Sequence, residues 1–533
     1  MPISNIPVSN RHMHDTQVLI IGAGVTGAGL ARDLSLRGVR CILVEQKDVN
    51  AGASGANHGL LHSGARYIKS DPAAAAECQK ENHRLKQLAP QCIDACGGLF
   101  VAVVGDDENY IADFPDLCAQ SGITTQPLDL DEVKGLEPAL SDQLIAAYSV
   151  SDAAIDPFRL ALDNIAQAMD NKARLFRFTR VTGFTVEKSK ITTTQLINTQ
   201  TDETLQIRAD VVVNATGAWA KQVTDKAGIK TPMIYSKGSL LVTQSRMAER
   251  VINRLRKATD ADILVPGGTV SILGTTSVRT DTPDVIYPGI AEIDKIVEEG
   301  AQMIPDLETT RYIRAYCGVR PLVGGEGDGD DRNVSRGYAL IDHARDRVDN
   351  LITITGGKLT TYRLMAEKTA DLVCQRLEID QPCQTCNAPL PASTSAQWTE
   401  PGLAPHQWIK QNDPADLLIC ECEMVSQRTI DQIIADMATS NIPPTLNAIG
   451  LRSRVGKGPC QGAFCSQWMA AYLYDRDVFK NNQGVANLHR FLSERWRGQH
   501  PLLWDAPLIQ SQLQEAMHCG LFGLELGDNH GHE

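Results

Sequence analysis

A glycine turn near the start of the chain constrains the fold more than any other feature. Val18–Ile21 is a short apolar run, Gly22-x-Gly24-x-x-Gly27 follows it, Ala28–Arg37 has helical spacing closed by Gly38, and Cys41–Glu45 is a second apolar run. Strand, glycine turn, helix and strand in that order make one βαβ unit. The first glycine permits the tight turn, the second lets backbone approach a diphosphate, and the third brings helix against strand. Glu45 ends the second strand, where a carboxylate accepts a bond from a ribose hydroxyl and repels a 2′-phosphate. The expectation is a dinucleotide site on Gly22, Gly24, Gly27 and Glu45; a glycine turn without a ligand is the plainer reading.

The fingerprint does not separate FAD from NAD. Two later segments bear on the choice: Asp210–Val213 runs into Asn214-Ala215-Thr216-Gly217-Ala218-Trp219, and Ile352–Thr355 runs into Gly356-Gly357-Lys358-Leu359-Thr360. Backbone amides around Ala215, Gly217, Gly356, Gly357, Leu359 and Thr360 suit the polar edge of a flavin or a diphosphate. Each alone reads as an ordinary loop. Together they point to a long cofactor threaded through the chain, with strands far apart in sequence feeding one sheet and a second domain interleaved between them.

At 533 residues with 43% hydrophobic and 22% charged side chains, two or three domains are expected. The net charge of −13 argues against nucleic acid as a partner, so an anionic ligand must be held by a few local arginines. Arg66, Arg320 and Arg336 each sit beside a glycine-containing turn, and a guanidinium fork can bond two oxygens of a phosphate at once. A solvated salt bridge is the alternative for each. No run of about 18 apolar residues occurs, and MPISNIPVSNRHMHD lacks the pattern of a signal peptide. The expected location is therefore the cytoplasm, unless a partner carries the chain to a membrane.

Fourteen cysteines in a reducing compartment are expected to be thiols. Cys420-x-Cys422 and Cys460-x4-Cys465 place four of them on two turns. That set suits a [2Fe-2S] cluster, tetrahedral zinc is the less favoured occupant, and buried unligated thiols are the plain reading. Arg452, Arg454 and Lys457 lie nearby to offset a cluster's negative charge, whereas Cys383 and Cys386 have no partner pair in sequence and are left unassigned. Composition divides the chain into a loose tail at 1–15, a body at 16–375, a Pro/Ser/Thr-rich linker at 376–413, a cysteine-bearing segment at 414–470 and a helical tail at 471–533.

The segments VLIIGAGVTGAGLARDLSLRG, ANHGLLHSGARY, DPFRL, VVNATGAWA, KGSLLV, DADILVPGG, ILGTTSVR, YCGVRPLV, NVSRGYALIDH and ITITGGKLTTYRLMAE, with the two cysteine pairs, resemble the FAD-dependent glycerol-3-phosphate dehydrogenase family, in particular the catalytic subunits of the anaerobic bacterial type. The resemblance covers nearly the whole chain. It implies a mixed α/β fold: a Rossmann-type FAD domain (about 16–70, 156–237 and 338–375) interleaved with an antiparallel-sheet substrate domain (about 71–155 and 238–337), as in D-amino-acid oxidases. The cysteine segment is similar to [2Fe-2S] domains of the bacterioferritin-associated-ferredoxin type. Further implications are that Ser54 and His58 join the FAD site, that Arg66, Tyr67 and Arg336 engage a phosphate, and that Arg320 and Lys358 lie nearer the reacting carbon.

Aerobic members of the family carry a histidine after Lys-Gly-Ser, where this chain has Leu240. The base expected instead is His62, with a purely structural role as its alternative and His58 as its neighbour. The implied activity is oxidation of sn-glycerol 3-phosphate to dihydroxyacetone phosphate. Electrons would reach quinone through partners in one complex, namely a second flavoprotein-like subunit with a membrane-attached iron–sulfur subunit. The site of action would be the cytoplasmic face of the inner membrane, with this chain peripheral. Two other readings stay open. One is a FAD oxidase of an amine or 2-hydroxy acid, with the arginines on a carboxylate; the other is a redox sensor or electron-transfer module.

Overall fold

The computed structural model describes residues 12–284, 286–323, 337–391, 408–439 and 442–524. Five parallel strands form the heart of the first sheet: Leu351–Gly356, Thr204–Asn214, His12–Ile21, Cys41–Val44 and Arg174–Phe176, in that spatial order. Cys41–Val44 is buried at every position, as expected of a parallel strand covered on both faces. Helices Val25–Leu36, Pro157–Asp170 and Tyr362–Arg376 pack together on the sheet, their Leu30, Leu34, Ile165, Met365 and Ala370 meeting Val18, Ile20 and Leu43 in one core. Antiparallel strands Thr179–Glu187, Lys190–Asn198 and Tyr338–Asp342 extend the edges.

The sequence between these strands builds a second sheet of nine strands. Its centre is Met233–Thr243, paired along one edge with Tyr312–Val323 and along the other with Val270–Gly274 and Val278–Thr280. This sheet is antiparallel as expected except at one join, where Val251–Arg254 runs parallel to Gly98–Val103. Helix Ile290–Met303 packs Ile293, Ile296 and Met303 into its core.

The C-terminal region is built from the short hairpin Leu418–Cys420/Val425–Ser426 and helices Gln427–Thr439, Leu446–Arg452, Cys465–Asp475, Gln483–Gln499 and Asp505–Phe522. It docks on both other parts. Arg452, almost fully buried, reaches Asp48 at 3.7 Å, and Arg177 bonds the same carboxylate at 2.8 Å. Arg314 on the second sheet pairs with Glu494 at 2.9 Å.

Four expected boundaries move. Residues 12–15 are not tail: they pair with Leu205–Arg208 and lengthen the first strand. A boundary at 237 would cut Met233–Thr243, whose ladder is continuous through Lys237 and Gly238. The first part of the proposed linker is packed rather than loose: Leu390 is buried and donates its amide to the Leu88 carbonyl, Arg32 bonds the Ala388 carbonyl at 3.0 Å, and Thr385 donates to Asp33 at 2.8 Å. Finally, no division falls at 470, because Leu488, Phe491, Leu492 and Trp496 share one core with Ile419, Cys465 and Met469.

Candidate active site and cysteine ring

The parallel strands His12–Ile21, Thr204–Asn214 and Leu351–Gly356 end side by side, so the three glycine turns read from sequence meet at one place. The Ala215 amide donates to Ile21, and the Thr355 hydroxyl to the Gly217 carbonyl at 3.0 Å. Gly22 has φ +105°, and a Cβ there would lie 2.7 Å from the Ala215 carbonyl oxygen. A side chain is excluded both by backbone conformation and by contact. A Cβ on Gly27 would lie 1.9 Å from the Gly22 carbonyl, which fixes the close approach of helix and turn.

Between the two sheets lies a cavity of about 920 Å³, at the upper end of the range for cofactor pockets. Gly22, Gly24, Glu45 and Ser54 line one part, with Ala215 and Gly217 beside them; Gly356, Gly357, Lys358 and Leu359 line another. Glu45 accepts the amides of Ala23 and Lys47, both at 2.9 Å, and burial pushes its carboxyl up. Ser54 Oγ accepts the Val25 amide at 3.0 Å, which pins the following loop to the start of the helix. The bare backbone beside Gly24, an acid at the end of the second strand and a long cavity fit an extended dinucleotide. Two expected residues stand behind the wall. Gly27 serves the helix–strand contact, and Thr360, fully buried, accepts the His62 amide at 3.0 Å.

Histidine and cationic side chains face the remainder of the cavity. His62 Nε2 is 3.4 Å from the Tyr67 hydroxyl, and Lys358 Nζ sits 4.4 Å from the centre of the Tyr67 ring. Burial, then Lys358, His58 and Arg66, hold the His62 imidazole well below its usual range. His58 is lowered to about 3 by burial, with Arg320 and Arg66 adding to the effect and a bond to the Gly274 backbone opposing it. Both rings are therefore neutral near pH 7. Arg66 is partly committed, since Nη2 bonds Asp262 at 2.9 Å and the Thr259 carbonyl at 3.1 Å. Arg336 lies outside the described residues.

Sequence reasoning found Arg320 but missed what holds it. Its Nη1 donates to the Thr276 carbonyl at 3.1 Å and its Nη2 to Thr275 Oγ1 at 3.0 Å. The guanidinium lies across Gly238, where a Cβ would fall 2.5 and 2.7 Å from its terminal nitrogens. Lys237 and Ser239, the flanking residues of the Lys-Gly-Ser segment, both turn to Glu292, at 2.7 and 3.0 Å. The segment thus builds a seat for the arginine, and its sequence signal is a glycine flanked by polar residues, Ser236-Lys237-Gly238-Ser239, just before the apolar run Leu240–Val242.

The two cysteine pairs do converge. Cys420 and Cys422 are 3.8 Å apart at sulfur, as are Cys422 and Cys460, and Cys465 closes the ring against Cys420 and Cys460. Bonds from Cys422 and Cys465 draw the Cys420 and Cys460 thiols down to about 3 and about 2. Among the described residues no group of three or more His, Cys, Asp or Glu side chains is arranged to hold a metal ion, the four sulfurs of this ring included. Phe491 packs over the loop that carries them, against Gly456 and Gly462. Lys457, lowered to about 8 by burial, lies 5.0 Å from the Phe158 ring, and that ring abuts Gly55 beside the cavity wall. Cys383 instead donates to Asp33 at 3.2 Å, far along the chain from the ring.

Comparison with known proteins agrees with this arrangement. The model of the FAD dependent oxidoreductase family matches residues 17–372. The A-subunit of the anaerobic glycerol-3-phosphate dehydrogenase of Escherichia coli is 40% identical over 97% of this chain and 99% of its own length. Its counterpart from Haloferax volcanii is 36% identical over 94% of this chain and 90% of its own. Among solved structures, the glycerol-3-phosphate dehydrogenase from Bacillus halodurans complexed with FAD superposes with a TM-score of 0.63 at 20% identity, covering 92% of this chain and 96% of that one; the likeness speaks for the fold. The interleaved sheets, the meeting of the glycine turns and identity along nearly the whole sequence place this chain among the FAD-dependent oxidoreductases, in the family of the anaerobic glycerol-3-phosphate dehydrogenase A-subunits.

Proposed function

We propose that the chain oxidises sn-glycerol 3-phosphate to dihydroxyacetone phosphate in an FAD-containing cavity, and that electrons leave by a [2Fe-2S] cluster on Cys420, Cys422, Cys460 and Cys465. The observation that carries the reading is the gathering of Arg66, Arg320 and Lys358 in one cavity of a net-negative protein, beside two neutral imidazoles. Cations so placed select a dianionic phosphate over a neutral polyol. Arg66 and Tyr67, joined by Arg336, hold the phosphate. Arg320, immobilised on Thr275 and Thr276, orients the hydroxyl that reacts, and a fixed guanidinium stabilises charge developing on that oxygen without reorganising.

Oxidation of the secondary alcohol removes a hydride from carbon and a proton from oxygen. FAD would be held by the glycine turns, Glu45, Ser54 and His58, and would supply the hydride acceptor. His62 is the base in this reading: its ring is uncharged, half-buried and 3.4 Å from the hydroxyl of Tyr67, over whose ring the Lys358 ammonium lies, and that charge disfavours a proton retained on the imidazole. The cluster would supply one-electron carriage, with Lys457 and Arg454 as the proposed counter-charges; Arg454 also pairs with Glu423, next to Cys422 in sequence. Among the described residues no helix is long and apolar enough to cross a membrane, so attachment to the cytoplasmic face falls to companion subunits that deliver the electrons to quinone.

Anaerobic purification followed by a spectrum and addition of glycerol 3-phosphate tests the reading. Flavin and iron–sulfur absorbance should both be present, and both should bleach; glycerol without the phosphate should bleach neither at comparable rate. Rapid oxygen consumption would point to an oxidase, and an unbleached flavin would end the dehydrogenase reading.

A further inference from the structure

The last helix, Asp505–Phe522, turns its large apolar residues outward. Ile509, Leu513, Met517 and Leu521 recur at every fourth position and are 61–74% exposed. Side chains four apart lie one above another, so they form a single slowly winding stripe. The opposite face anchors the helix: His518 bonds Gln467 at 2.7 Å and packs on Trp496, while Phe522 and Leu524 join the domain core.

The anchored face of this helix meets the helix that begins at Cys465. Gln467, the partner of His518, lies between Phe464 and Trp468, which are 69% and 65% exposed on the first turn of their helix. Phe464 immediately precedes Cys465, and Cys422 is itself exposed. With Trp504 at 77%, seven of the sixteen exposed large hydrophobic residues among those described belong to these two helices and their flanks. Isolated exposed apolar residues are ordinary, but a grouped set marks a surface that meets something.

Charge narrows what that is. Helices that lie on lipid carry lysine and arginine on their polar face. Asp505–Phe522 has neither, and its only charges are Asp505 and Glu515. The chain that follows, residues 525–533, reads Glu-Leu-Gly-Asp-Asn-His-Gly-His-Glu, with one large apolar side chain to offer.

We infer that this stripe, with Trp504, Phe464 and Trp468, is the docking face for an electron-accepting protein that receives the last helix in an apolar groove. The inference rests on the proposed cluster and complex. Docking there brings a one-electron carrier of the partner to the side of the ring where Cys422 is exposed. One electron leaves the reduced cluster and reduces the partner's oxidised centre, with no bond made or broken.

The test is Leu513→Asp combined with Met517→Asp in the full chain, co-expressed with the companion subunits of its complex. The isolated variant should keep its FAD, its oxidation of glycerol 3-phosphate with a small dye within about twofold, and its melting temperature within about 2 °C. On size-exclusion chromatography it should lose the companions, and quinone reduction should fall at least about tenfold. Companions retained at wild-type level by the variant would overturn the inference alone, whereas wild-type chain that binds no companion would remove the complex and the inference with it. Three other results would also overturn it, each naming another occupant. Wild-type dimers that the variant abolishes mean a second copy. Wild-type flotation with anionic phospholipid vesicles, lost in the variant, means lipid. A melting temperature lowered by about 5 °C or more in the isolated variant means that the chain covers its own stripe.

Discussion

Glu292 governs Arg320 without touching it. Its carboxylate accepts Thr276 Oγ1 at 2.6 Å, and the carbonyl of the same threonine accepts Arg320 Nη1 at 3.1 Å. Burial opposes its ionisation, but bonds from Lys237, Thr276 and the Gly289 amide hold its carboxyl below the usual range. Glu292→Gln removes the charge while keeping the shape. Catalytic efficiency with glycerol 3-phosphate should fall about 10- to 100-fold at unchanged FAD content, the loss of one charge-assisted bond. Unaltered kinetics in that variant would show that the arginine needs no such support.

Arg320→Ala should cost more than Arg320→Lys, because lysine keeps the charge but cannot span Thr275 and Thr276 together. The expected loss for alanine is about 2–4 kcal/mol in catalytic efficiency. Equal turnover of glycerol and glycerol 3-phosphate by the wild-type chain would contradict the phosphate site.

Two glycines of one fingerprint should fail differently. Gly24→Val places its side chain towards the cavity, where the nearest protein atom to a Cβ is Ser54 Oγ at 3.0 Å, so the protein should fold and purify without flavin. Gly27→Val meets backbone at 1.9 Å and should give little folded protein at all. Flavin content and far-ultraviolet circular dichroism distinguish the two.

Stability should fall on mild acidification. His58 titrates at 6.5 when exposed and at about 3 in the folded chain, and His62 shifts in the same direction. Above pH 6.5 both states are neutral and nothing is lost. Between pH 6.5 and 3 the unfolded chain binds a proton at His58 that the folded one refuses, costing up to about 1.4 kcal/mol per pH unit, and His62 adds to the loss in the same direction. Urea unfolding from pH 7.5 to 5 should show this slope, and His58→Gln should reduce it, leaving the part due to His62.

Cys460→Ala should remove iron and its visible absorbance while FAD remains, since the flavin cavity and the sulfur ring belong to separate cores. Stoichiometric zinc in anaerobically prepared wild-type protein would overturn the cluster assignment.

Features carried by a few adjacent residues were legible: the three glycine turns and both cysteine pairs announce themselves by spacing. What depends on pairing across long stretches was not. The seat of Arg320 is made by Thr275, Thr276 and Glu292, ordinary polar residues that acquire a role only when their strands and helix meet. His12–Asp15 hid within a polar start because its ladder partner, Leu205–Arg208, is remote in sequence. Residues 383–390 read as a linker by composition, yet they are fastened through Asp33 and Arg32, residues of the first helix. The tail beyond 470 looked separate because nothing local reveals that Phe491 packs on Gly456 and Gly462.

The lid that Phe491 forms also sets an order of assembly on the ribosome. The flavin cavity has its lining once residues as far as Leu359 have emerged and joined strands made long before them, whereas the core around the sulfur ring also needs Leu488, Phe491, Leu492 and Trp496, made after its last cysteine. Domains fold from the N-terminus as the chain is made. The flavin half can therefore begin to fold on the nascent polypeptide before the sulfur ring is enclosed.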